Sequence, residues 1–191
     1  MSSAQPGRLG RRVIHDGRIV QLSIDTVRFP DGSVGELELI HHAGASAVLP
    51  IAGPLDDPDP EVLLIRQYRY ATGGYLYEVP AGTPHHDGEP WEEVARRELE
   101  EETGWRAERL FPLTRVYTTP GFTDEVIHIW LATDLRQGAS KLDDDEFVEL
   151  VRTPLSVALA WIREGRIIDA KSVVAILFAA RFVRGDGRSG W

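Results

Sequence analysis

The chain contains no cysteine. That excludes disulfides, thiolate metal ligands and a cysteine nucleophile, and a cytoplasmic location is the simplest expectation. Asparagine is absent as well, and only Lys141 and Lys171 supply lysine among 21 basic residues. Either a GC-rich genome or avoidance of thermolabile residues produces such a bias. Neither speaks to function. No apolar run approaches the roughly 20 residues of a membrane span. The opening stretch MSSAQPGRLGRR lacks the apolar centre of a signal peptide. No membrane partner is therefore expected. Positive charge is in short supply: 30 acidic residues give a net charge of −9. Broad nucleic-acid binding needs a basic footprint, so nucleic acid is not an expected partner. An acidic chain suits a site that takes a cation first and an anionic small molecule second.

What is present is ordinary globular material: 191 residues, 42% hydrophobic and 27% charged. Residues 12–29 alternate apolar and polar around Asp16-Gly17, a hairpin signal, and Pro30-Asp31-Gly32 marks a second turn before a strand at 35–42. The chain is thus expected to open with a small antiparallel sheet over 1–44, followed by a main domain over 45–191. Residues 45–52 and 62–70 are apolar runs around a Pro/Asp-rich turn and read as buried strands. A short strand spans 75–80. A helix opens at Pro90 and closes at Gly104, with Val94 and Leu99 facing inward. Strands are expected at 109–118 and 124–132, a polar acidic loop at 137–146, and amphipathic helices at 155–164 and 169–183. The order predicts an α+β fold, a mixed sheet between helices.

The most informative segment is Gly82 to Trp105, GTPHHDGEPWEEVARRELEEETGW. Glu98, Glu101 and Glu102 fall three and four positions apart, so they are neighbours on one helix face. Clustered like charges destabilise a helix unless a cation offsets them, and a hard divalent ion fits. A solvated face is the plainer reading. Glu92 and Glu93 suit it, each with an arginine four residues on, Arg96 and Arg97.

The segment resembles the Nudix box: glycine, five residues, Glu, seven residues, then Arg-Glu-apolar-x-Glu-Glu-x-Gly-apolar. Glu89, residues 90–96 and Arg97 through Trp105 match. Six residues rather than five separate Gly82 from Glu89, an insertion that a surface loop absorbs cheaply. The resemblance implies an α/β/α sandwich and hydrolysis of a diphosphate bond with Mg²⁺, Mn²⁺ or Zn²⁺ serving as substitutes. It implies metal ligation by Glu98, Glu101, Glu102 and the Ala81 carbonyl, with Glu101 and Glu102 also counted as catalytic. It implies structural roles for Gly82, Glu89, Arg97 and Gly104. Relatives place a catalytic glutamate on a later loop, and Glu146 is the only glutamate in 137–146, with Glu149 as substitute.

Flanking residues narrow the substrate. Pro120 lies 16 residues past Gly104, within Thr118-Thr119-Pro120-Gly121-Phe122-Thr123-Asp124-Glu125. That run resembles the ADP-ribose pyrophosphatase subfamily, although alone it reads equally as a turn. Arg66 and Arg69 sit at period three in a strand, so they point to opposite faces. The resemblance favours Arg69 for the substrate diphosphate, and an arginine fork suits that task. Glu125 is assigned to the terminal ribose. Tyr68, Tyr70 and Phe122 are candidates for stacking on the base, with core packing the commoner role. The histidine pairs His41-His42 and His85-His86 lack the helical spacing of a zinc site. The reading that results is cleavage of ADP-ribose to AMP and ribose 5-phosphate. A GDP-sugar, NADH or a diadenosine polyphosphate is the alternative substrate, and a non-catalytic ADP-ribose sensor the non-enzyme alternative. The small N-terminal sheet and the family's habit imply a homodimer.

Overall fold

The computed structural model describes residues 5–138 and 148–183. They group into two compact units, one of residues 5–44 with 117–126 and the other of residues 45–116 with 127–138 and 148–183.

The first unit is an antiparallel sheet of β1 (Gly7–Asp16), β2 (Val20–Arg28) and β3 (Val34–His42), in the order β1-β2-β3. The two sequence turns form as expected. Gly17 donates its N–H to the Val20 carbonyl at 3.0 Å, and Gly32 takes φ +86°, a conformation that favours glycine. Segment 117–126 joins the unit through Ile40, whose N–H meets the Phe122 carbonyl at 2.8 Å. Its interior is polar. Ser23 and Asp25 are buried, and Arg11 grips the Asp25 carboxylate through Nε at 3.0 Å and Nη2 at 3.1 Å. Ser23 Oγ stands 3.1 Å from His41 Nε2, while His41 Nδ1 lies 2.6 Å from Asp124 Oδ2. Hydrogen bonding to Arg11 holds the Asp25 carboxyl below its ordinary range despite burial.

The second unit is a seven-stranded mixed sheet. Its strands are β4 (Ala45–Ala52), β5 (Glu61–Arg69), β6 (Gly74–Glu78), β7 (Ala81–Gly82), β8 (Trp105–Tyr117), β9 (Val126–Gln137) and β10 (Val148–Pro154). The path runs β10-β5-β4-β9-β8, with β6 on β5 and β7 on β4. The β4–β9 pair is parallel, and β5 meets β4, β6 and β10 antiparallel. Three helices follow in chain order: α1 (Trp91–Thr103), α2 (Leu155–Arg163) and α3 (Ala170–Phe178), the last continuing into a π-turn over Ala179–Val183.

Strand alternation sorts β4 and β9 onto two cores. Ala47, Leu49, Ile51, Ile129 and Leu131 join Leu155, Ala158, Ala175 and Ile176 of α2 and α3. Val48 and Ala132 join Ala95 and Leu99 of α1. Helices therefore cover both faces, the α/β/α sandwich expected. Val94 and Leu99 are fully buried, as the sequence implied. Chain ends of α1 follow local rules. Pro90 caps it with φ −61°, Glu92 and Glu93 lie in its first turn, and Gly104 closes it in the left-handed region at φ 73°. The strands at 105–117 and 126–137 run longer than the sequence reading, because turn residues there are few and pairing extends them. Among the described residues, no helix is long and apolar enough to cross a membrane.

Candidate active site

The helix α1 and the strand end β7 build the site. Glu98 and Glu102 are buried, and Glu101 is one-third exposed at its side chain. Arg97 is the organising cation. Its Nη1 donates to Glu98 Oε1 at 2.7 Å and to Glu101 Oε2 at 2.9 Å, and its Nη2 donates to the Thr83 carbonyl at 2.8 Å. Its Nε lies 3.5 Å from Glu89 Oε1, and Glu89 Oε2 accepts the His85 N–H at 2.7 Å. The helix, the loop after β7 and the insertion are thus joined by one guanidinium. Glu93 was paired with Arg97 in the sequence reading; Arg97 turns instead to Glu89, Glu98 and Glu101, while Glu92 does meet Arg96 at 2.9 Å. A cleft of about 360 Å³ lies on the neighbouring stripe of α1, lined by Glu93, Arg96, Arg97, Glu100, Glu101 and Arg106; Glu98 and Glu102 are not in its lining.

Gly82 is required here for space. Its φ is not positive, unlike that of Gly104. A Cβ at position 82 would lie 2.0 Å from Glu98 Oε1 and 2.7 Å from Oε2. The carboxylate fills the place that any other side chain would take. Next to it, Ala81 donates its N–H to Glu102 Oε2 at 3.0 Å.

Whether these groups suit a metal is a question of donor chemistry and room. Among the described residues, no three His, Asp or Glu side chains gather tightly enough to hold an ion as they stand. Arg97 bridges Glu98 and Glu101, so these carboxylates already converge on one positive charge. The side-chain donors gathered here, Glu98, Glu101 and Glu102, all offer oxygen, which suits a hard divalent ion. The residues fit.

The remaining predicted residues fall in three places. Arg69 lies on the sheet face that carries Glu78 of the neighbouring β6, and Arg66 on the other, as the period-three spacing implied. Arg69 donates from Nε to Glu78 Oε1 and from Nη2 to Glu78 Oε2, each at 2.8 Å. Glu78 is buried, and burial pushes its carboxyl upward, but Arg69 and Lys171 outweigh that and hold it below the ordinary range. The Arg69 guanidinium is raised chiefly by Glu78, with Glu102 and Asp169 adding to it. Arg66 lies over the Tyr75 ring at 4.1 Å and pairs with Glu149 at 3.3 Å. Pro120, Phe122 and Glu125 belong to the first unit. There Pro120 enters a turn, Glu125 accepts from Thr118 at 2.8 Å and lies 3.3 Å from His42 Nδ1. Glu146 lies outside the described residues. The expectation that Tyr68, Tyr70 and Phe122 pack in the core is overturned: they are 43%, 88% and 50% exposed, Tyr68 next to the end of β5, Tyr70 in the 3-10 turn Tyr70–Thr72 that follows it, and Phe122 in a turn.

Sequence reading missed Lys171, Asp169 and Ser172 at the start of α3. Ser172 Oγ accepts the Val79 N–H at 2.8 Å, and Asp169 caps the helix by accepting the Ser172 N–H at 3.0 Å. The only sequence signal was one of two lysines in a chain whose other basic residues are arginine.

A family model described as the NUDIX domain matches residues 48–173. The chain belongs to the Nudix family. It is 39% identical over 167 residues to a methanol dehydrogenase activator of Bacillus methanolicus, covering 86% of this chain and 87% of that one. It is 34% identical over 180 residues to an ADP-ribose pyrophosphatase of Bacillus subtilis, covering 93% and 94%. A solved structure of an ADP compounds hydrolase superposes with a TM-score of 0.79 at 26% identity, covering 98% of this chain and 99% of that chain.

Proposed function

We propose that this Nudix protein hydrolyses the diphosphate bond of ADP-ribose, giving AMP and ribose 5-phosphate. One observation carries the reading: a buried carboxylate pair, Glu98 and Glu102, stands against Gly82 and Ala81, with an oriented arginine, Arg69, electrostatically coupled to Glu102. We read this arrangement as a cation site beside a phosphate-binding group. The likeness to an ADP-ribose pyrophosphatase along nearly the full length of both chains supports the choice of substrate.

Glu98, Glu101, Glu102 and the Ala81 carbonyl would hold Mg²⁺, with Mn²⁺ or Zn²⁺ as substitutes. When bound, the ion neutralises charge on the diphosphate oxygens and lowers the pKa of water. Arg69 binds the diphosphate through its outer nitrogen. Arg97 and Glu89 hold the loop that carries Gly82 against α1. Glu146 accepts a proton from the attacking water. The first unit serves as a dimerisation sheet: Leu9, Val13, Ile14, Val34 and Leu37 on its outer strands are each about half exposed. Light scattering at micromolar concentration tests this, and a monomer would refute it.

The deciding experiment measures hydrolysis of ADP-ribose, ADP-glucose, GDP-mannose and NADH with Mg²⁺, for wild type and Glu102→Gln. Preferential ADP-ribose cleavage, lost in the variant, is expected. Preference for another substrate refutes the substrate choice. Tight ADP-ribose binding without cleavage of any of the four refutes catalysis.

A further inference from the structure

Two cations converge on one buried carboxylate. Glu78, at the end of β6, is 1% exposed. Arg69 takes both of its oxygens, and Lys171 Nζ donates to the same Oε2 that Arg69 Nη2 uses. The Lys171 side chain is 9% exposed, against 39% for Arg69. Burying an ammonium is unfavourable unless it is paired. Lys171 has two partners, Glu78 and Asp169, the second at 3.1 Å. For stability alone, an apolar side chain and an uncharged residue at 78 would serve as well. The charged trio therefore points to a task at its exposed end, which is Arg69.

The geometry of the clamp defines that task. Glu78 engages the Nε–Nη2 edge of the guanidinium, which leaves Nη1 as the outer nitrogen. No hydrogen bond from Nη1 is made among the described residues. A guanidinium that held Glu78 alone would face a choice when a phosphate arrived: leave a buried carboxylate without a cation, or decline the phosphate. Lys171 removes the choice, because Glu78 keeps a counter-ion throughout. Asp169 fixes the lysine, and Ser172 in the same helical turn binds the Val79 N–H, so the strand end leading to Ala81 is held by the same structure.

We propose that Lys171 is a positioning residue for the substrate diphosphate: it keeps Glu78 ionised and fixed, so that Glu78 presents Arg69 Nη1 to the phosphate. The inference rests on the nucleoside-diphosphate reading above, and deepens it.

The test is steady-state kinetics on Lys171→Met, Lys171→Arg and Asp169→Asn, each also in an Arg69→Gln background, with thermal unfolding as a fold check. Lys171→Met is expected to raise KM about tenfold and to change kcat less than about threefold. Lys171→Arg recovers most of the loss, since charge is restored. Asp169→Asn keeps the helix cap and loosens the lysine, so KM rises in the same direction by a smaller factor; it carries the test should Lys171→Met fail to fold. With Arg69 already replaced, Lys171→Met adds less than about twofold, because its effect runs through Arg69. Unchanged KM in both Lys171→Met and Asp169→Asn, or an equal KM increase with and without Arg69, overturns the proposal. If wild type cleaves GDP-mannose or NADH and not ADP-ribose, the substrate reading fails, and the same comparisons on the cleaved substrate still decide the role of Lys171. Cleavage of none overturns both.

Discussion

Replacing Gly82 by alanine separates a need for space from a need for backbone freedom. The added Cβ would sit 2.0 Å from Glu98 Oε1 and 2.3 Å from Cδ. To restore a contact of 3.4 Å, the carboxylate must retreat by about 1.4 Å, the smaller atom shift in a site where backbone is fixed by β7 pairing with β4. Mg²⁺–oxygen distances of about 2.1 Å tolerate no such displacement. Misplacement by about 1 Å costs on the order of 100-fold in rate, or about 2.7 kcal/mol of transition-state stabilisation. Folding stability is a different matter. Position 82 has no left-handed φ, and a methyl group there restricts the unfolded chain by about 0.4–1 kcal/mol, which offsets some of the local crowding. The expected result is kcat/KM for ADP-ribose reduced about 100-fold with a melting temperature within a few degrees of wild type. Activity within threefold of wild type would refute the packing argument. So would unfolding that accounts for the whole loss.

Three further outcomes follow from the geometry. Leu99→Ala, fully buried between α1 and the sheet, should lower unfolding free energy by about 2–5 kcal/mol in urea titration. Arg97→Lys keeps the charge and loses the fork that spans Glu89, Thr83, Glu98 and Glu101, so the Mg²⁺ concentration giving half-maximal activity should change at least threefold, whereas a purely solvated arginine would leave it unaltered. The Glu78 carboxyl is held below its ordinary value of 4.5, so its contribution to stability is complete above that pH and falls away as pH drops through the lower folded value. Glu78→Gln should accordingly flatten the acid limb of a stability–pH curve below about 4.5 and leave its slope near neutrality unchanged.

Local chemistry made much of the protein legible. Asp16-Gly17 and Pro30-Asp31-Gly32 set two turns, alternation marked β2, an apolar run marked β4, and Gly104 ended α1, because each depends on neighbours within a few residues. Spacing of three and four also placed Glu98, Glu101 and Glu102 together, since a helix fixes that by its own repeat. Pairing choices were less visible. Glu93 stands four residues before Arg97, as Glu92 does before Arg96, yet Arg97 goes to Glu89, Glu98 and Glu101 because the loop after β7 passes beside the helix. Exposure of Tyr68 and Tyr70 was likewise hidden, since the strand ends at Arg69 and the chain turns at Tyr70–Thr72, which the apolar run alone did not mark.

By itself, then, the sequence determined the carboxylate helix, its closing glycine and the succession of elements along the chain, all products of short-range geometry. Only tertiary structure decided that Gly82 yields its side-chain volume to Glu98, and that Lys171, 93 residues from Glu78, shares its carboxylate with Arg69. Those contacts join strands and helices far apart in the chain, and hydrophobic burial of α1 and α3 on opposite faces of one sheet brings them within reach.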